Sequence, residues 1–74
     1  MKKQLSPEKM KQLRLRKKIT LKEAAQAAGY KNASSILRAE KGILRPPADR
    51  LMALADLYGV NVEEFFEPAR SEVS

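Results

Sequence analysis

The 74-residue chain contains no cysteine and no histidine. Without cysteine there is no disulfide, no thiolate metal site and no thiol nucleophile, and the redox compartment is left open. With histidine missing too, zinc sites and most nucleophile–base pairs are excluded. Carboxylate or lysine chemistry would need a pocket that so small a domain rarely builds. No apolar run approaches the ~18 residues that cross a bilayer. The lysines at the N-terminus are followed by no apolar stretch, so no secretory signal is expected. No strand periodicity, internal repeat or low-complexity block is visible. These absences point to a small all-α domain with no cofactor, no metal and no catalytic site.

What the chain does have is positive charge, unevenly placed. The formal net charge is +6. Residues 1–50 carry 14 Lys and Arg against 4 Asp and Glu, a surplus of +10, whereas residues 51–74 carry 1 against 5, a deficit of −4. A basic front and an acidic back give one face that attracts a polyanion.

The stretch from Thr20 to Gly42 organises the rest. Thr20 and Glu23 form a capping box that opens one helix. Ala24, Ala25 and Ala28 give that helix a face with little side-chain volume, across which a second helix can lie closely. Gly29 supplies the left-handed residue that ends it. The second helix runs over about 33–41, from Asn32 or Ala33 to Lys41, and Gly42 ends it. At about 100° per residue, Ile36, Ala39 and Glu40 point inward. Ser34, Arg38 and Lys41 point outward, with Leu37 at their margin.

Ahead of this unit, residues 1–5 read as a flexible basic arm. Ser6 is placed as an N-cap, Pro7 at the first helical position and Glu8 at the positive end of the dipole. That first helix continues to about Lys17 and turns Met10, Leu13 and Arg14 inward. An inward arginine calls for a partner, and inward-facing Glu40 is the candidate. Beyond Gly42, Pro46 and Pro47 stiffen a loop. A fourth helix follows with the stripe Leu51, Leu54, Ala55 and Tyr58, closed by Gly59. Asn61 and Glu64 suggest another capping box and a fifth helix, with Phe65 or Phe66 closing the core. The domain is expected to span residues 6–66, with 67–74 a flexible polar tail.

Many positions in one register carry a resemblance: Leu13-Arg14, Ile19-Thr20, Glu23, Ala25, Gly29, Ile36, Glu40, Gly42, Pro46, Leu51, Leu54-Ala55, Tyr58-Gly59-Val60, Glu64 and Phe66. The chain resembles the Cro and lambda-repressor helix-turn-helix family, the XRE type, from Met10 to Phe66. The resemblance implies a compact five-helix, lambda-repressor-like domain with Leu21 to Ala28 as positioning helix and Ala33 to Lys41 as recognition helix. It implies a cytoplasmic, bacterial or phage-encoded transcription regulator that is usually dimeric. Arg14 and Glu40 match the family's structural ion pair. Three features depart from its pattern. The segment from Gly29 to Ile36 is one residue longer than the commonest spacing, Leu21 stands where relatives often have a polar residue, and Ile43 and Leu44 occupy a usually polar loop.

The DNA-binding residues expected on this reading are Lys31, Asn32, Ala33, Ser34, Leu37, Arg38, Lys41 and Arg45. Arg38 and Ser34 are placed for base or phosphate contact and Ala33 for a thymine methyl. Lys31, Lys41 and Arg45 suit phosphate, and Asn32 suits phosphate, an N-cap or both. Double-stranded DNA with a palindromic operator is the expected partner. A homodimer, at least on DNA, would use Ile43 and Leu44, and the function would be repression by occupancy of the operator. The alternative is an antitoxin or coactivator-type adapter that binds a protein partner through Leu37, Ile43 and Leu44.

Overall fold

Side-chain caps and left-handed residues divide residues 3–68, those described by the computed structural model, into short segments. Strand β1 covers Lys3–Leu5 and helix α1 Pro7–Arg16. Helices α2 and α3 cover Leu21–Ala28 and Ala33–Glu40, and α4 covers Ala48–Tyr58. A 3-10 turn, Val62–Phe65, leads into strand β2, Phe66–Pro68.

Each start has a local cause. The Ser6 hydroxyl accepts from the Lys9 amide at 3.3 Å, with Pro7 as the first helical residue. At Thr20 the capping box is complete: Oγ1 accepts from the Glu23 amide at 3.0 Å, and Glu23 Oε1 accepts from the Thr20 amide at 2.9 Å. Gly29 and Gly59 end α2 and α4 at φ +84° and +71°, where a Cβ would be strained. Helix α1 stops at Arg16 with a lysine in the same role. Lys18 has φ +59°, its amide donates to Leu15 O, and the Ile19 amide donates to Arg14 O. These two bonds form a Schellman closure, with Ile19 packed against the core as its apolar anchor.

The core is built from Met10, Leu13, Ala24, Ala25, Ala28, Ile36, Ala39, Leu51, Leu54, Ala55, Tyr58 and Phe65. Tyr58 and Phe65 meet edge to face, with ring centroids 5.7 Å apart. Leu21 is half-buried against this cluster, so the departure at that position serves packing.

Two expectations need correction. The described residues form four α-helices, and the expected fifth is a single 3-10 turn. There the Glu64 amide donates to Asn61 O at 2.9 Å, and the Asn61 side chain makes no cap bond, so the second capping box does not form. The turn is short because Phe65 must enter the core while Phe66 continues as strand. The chain is also not purely α: β1 and β2 pair antiparallel, Leu5 opposite Phe66 and Lys3 opposite Pro68. Two three-residue strands are too short to show a period of two. Tertiary bonds hold them, from the Ser6 amide to Phe65 O at 2.8 Å and from Lys9 Nζ to Phe66 O at 2.9 Å. The ribbon takes in parts of the segments expected as arm and tail; Met1, Lys2 and residues 69–74 of those segments lie outside the described residues.

Lys18 is the one described non-glycine residue with positive φ. Lys18→Gly should therefore stabilise the domain by about 0.5–1 kcal/mol, relief of left-handed strain outweighing the added chain entropy. Urea melts check this, with Lys18→Ala, which keeps the strain, expected to stay near the parent.

Candidate nucleic-acid interface

Helix α3 lies across the alanine face of α2, where Ala24, Ala25 and Ala28 are all buried. On the α2 side, none of those positions contributes more than a methyl group to the contact. Ile36, Ala39 and Glu40 face inward. Ser34, Leu37, Arg38 and Lys41 are exposed on the far side, and Ala33 at the helix start is half-buried. The exposed row runs from a hydroxyl at 34 to cations at 38 and 41, one and two turns later. Two hollows on the surface are lined by α1 residues with Glu64 or Glu40, and neither includes Ser34, Arg38 or Lys41.

The turn residues Lys31 and Asn32 extend this exposed surface, as does Arg45 in the following loop. Asn32 has extended N-cap dihedrals, but its side chain makes no cap bond; its carbonyl accepts from the Ser35 amide at 3.1 Å. Past α3 the chain folds back: the amides of Lys41, Ile43 and Leu44 all donate to Arg38 O. Pro46 is fully buried and pins that loop. Ile43 is 73 % exposed, Leu37 39 %, and Leu44 is half-buried.

Below the row lies a buried charge pair. Arg14 Nε donates to Glu40 Oε2 at 2.7 Å and Nη2 to Oε1 at 3.2 Å, a two-pronged contact. Nη1 donates to Ile19 O at 2.9 Å. The two side chains are 9 % and 2 % exposed. The bond to Glu40 raises the Arg14 pKa from its ordinary value, with burial opposing. Burial, with the Glu40 charge nearby, pushes the Tyr58 phenol up to about 12.

A second arrangement is absent from the sequence reading. Arg50 of α4 lies over the Tyr30 ring, Cζ 4.4 Å from the centroid, and Nη1 donates to Ala28 O at 3.0 Å. Tyr30 Oη is buried without a hydrogen-bond partner. The available signal was the place of Arg50 four residues before Leu54, on the flank of the α4 stripe. Among the described residues no cluster of His, Cys, Asp or Glu could hold a metal ion, and no helix is long and apolar enough to cross a membrane.

A helix-turn-helix family model matches residues 10–65, from the middle of α1 to the end of the 3-10 turn. No curated protein matches the chain.

Removing either partner of the Arg14–Glu40 pair strands the other in the interior. Arg14→Ala and Glu40→Ala should each lose about 3 kcal/mol in urea melts, and the double variant less than their sum. Strict additivity would show the two groups to be uncoupled. Tyr58 gives a pH signature. Its folded pKa of about 12 exceeds the ordinary 10.0, so the neutral phenol favours the folded state. That contribution is complete below pH 10 and is lost as pH rises through about 12, a fall on the order of 2–3 kcal/mol. Tyr58→Phe should flatten this part of the stability–pH curve.

Proposed function

Since the chain belongs to the Cro and lambda-repressor-like, XRE-type helix-turn-helix family, a family of DNA-binding regulators, we propose that α3 enters a DNA major groove as recognition helix and that occupancy of the operator represses transcription. The observation that carries this is the two-sided character of α3. Ile36, Ala39 and Glu40 are spent on the fold, while Ser34, Leu37, Arg38 and Lys41 stay exposed. Arg38 forks onto a guanine edge and Ser34 sits one turn earlier against a base or phosphate. Ala33 meets a thymine methyl. Lys31, Asn32, Lys41 and Arg45 hold phosphates on either side and set the register. The surplus of +10 over residues 1–50 supplies the long-range attraction.

One recognition helix reads only a few base pairs, too little to single out a site in a genome. A homodimer reads two half-sites about one helical turn apart on a palindromic operator. Ile43 and Leu44 are the proposed contact between protomers, in a loop held by Pro46 and by the bonds to Arg38 O. The surface is small, so association is weak in free solution and tightens on DNA. The setting would be the cytoplasm of a bacterium, on its own or a phage's DNA. The exposure of Ile43 and Leu37 also supports a second reading, an adapter that binds a protein through the same aliphatics. Binding-site selection from random duplexes discriminates the two: the adapter enriches no sequence.

On the selected duplex Arg38→Ala should lose about 1–3 kcal/mol and relax base preference at the contacted position. Equal losses on selected and scrambled duplexes would make Arg38 a phosphate contact instead. Ile43→Asp with Leu44→Asp should leave the melting temperature nearly unchanged and abolish cooperative binding. A footprint of one half-site with a single protomer bound at saturation would refute the dimer.

A further inference from the structure

The turn between α2 and α3 spans Gly29 to Asn32, and little in it is regular. Its first part is tied to α2: the Gly29 amide donates to Gln26 O at 3.2 Å and the Tyr30 amide to Ala25 O at 2.9 Å. From there to Asn32 the backbone could pivot, because the Asn32 side chain makes no cap. The angle at which α3 leaves α2 must therefore be set by something outside the turn.

We propose that Arg50 is that element: its stack on Tyr30 and its bond to Ala28 O make it a positioning residue for α3. Both contacts come from one planar group. The guanidinium covers the ring at 4.4 Å while Nη1 donates to the Ala28 carbonyl at 3.0 Å. That carbonyl is one of the C-terminal acceptors that a helix leaves unpaired, at the negative end of its dipole. Arg50 also occupies the space above Gly29, where an added Cβ would lie 3.3 Å from Nη1. Glycine thus serves twice here, for its φ of +84° and for the room it leaves.

The mount for this side chain is rigid. Arg50 is in the first turn of α4, and its amide donates at 3.0 Å to the carbonyl of Pro47, the residue after buried Pro46. In the chain, α3 lies between Arg50 and the two groups that it contacts, the Ala28 carbonyl and the Tyr30 ring. Its start is held through Tyr30 and its end through the pinned loop, so residues 28–50 form a closed circuit around it. Lysine cannot replace this geometry, since a single ammonium cannot both cover the ring and reach the carbonyl along the edge of a plane.

The inference rests on the reading of α3 as the DNA-contacting helix, and the test separates the two. Arg50→Lys, Tyr30→Leu and Tyr30→Phe are compared, each first shown by thermal melting to be folded. Residual dipolar couplings in the free protein report the orientation of α3 against α1 and α4. Duplexes selected by the parent chain report the ratio of selected to scrambled binding. Arg50→Lys and Tyr30→Leu should reorient α3 and lower that ratio about tenfold, the size of one compromised base contact, through loss on the selected duplex alone. Tyr30→Phe keeps the ring and discards only an unpartnered hydroxyl, so it should match the parent in both measurements. Unchanged couplings in Arg50→Lys, a reoriented α3 with an unchanged ratio, or a Tyr30→Phe variant as impaired as Tyr30→Leu would each overturn the assignment. If the parent chain selects no duplex, the DNA reading falls and the couplings alone decide whether Arg50 sets α3.

Discussion

One guanidinium ties together the parts of this domain that carry few large side chains of their own. Arg14 belongs to α1, holds both oxygens of Glu40 on α3, and donates its remaining prong to Ile19 in the turn before α2. The contact therefore reaches three segments of the chain at once. A buried charge pair is not in itself strong evidence of stability, because desolvation offsets most of the attraction. Its effect here is directional. Apolar contacts tolerate small slips, whereas two parallel N–H···O bonds fix Glu40, and so fix the rotation of α3 about its own axis. That rotation decides which residues of α3 are left on the outside.

The alanine face of α2 acts in the same sense by a different means. Small side chains at Ala24, Ala25 and Ala28 leave room for α3 to pack closely on α2. Larger residues there would lift α3 and draw Ile36 out of the core. The distance is thus set by what α2 lacks and the rotation by what Arg14 holds. The inclination is left to the ends of α3, where Arg50 and the Pro46 loop act.

Much of this was legible because it is local. The capping box at Thr20, the left-handed Gly29 and Gly59, and the stripe Leu51, Leu54, Ala55 and Tyr58 each depend on residues within a turn or two of one another. The inward direction of Arg14 and Glu40 followed from helical phase, and the exposed row of α3 from the same phase read outward. The features that the sequence does not show depend on distant partners. Phe66 is strand because Leu5 lies opposite, more than sixty positions away. Lys18 takes a left-handed conformation because Ile19 must reach the core, although nothing in the lysine announces it. Arg50 looks like any solvated helix arginine until Tyr30 is brought beneath it. Asn61 has the right identity for a cap but stands before a turn whose backbone already satisfies the amide in question.

The small ribbon carries a further consequence, for connection. Lys3 lies opposite Pro68, so the chain comes into the domain and goes out of it through one gate. A unit with such a gate can be spliced whole into a surface loop of a host protein without spreading the loop's two stumps. Mechanically, the same arrangement makes the ribbon a zipper. Tension applied across the gate would open its few hydrogen bonds one after another, and only then would load reach the helices behind it.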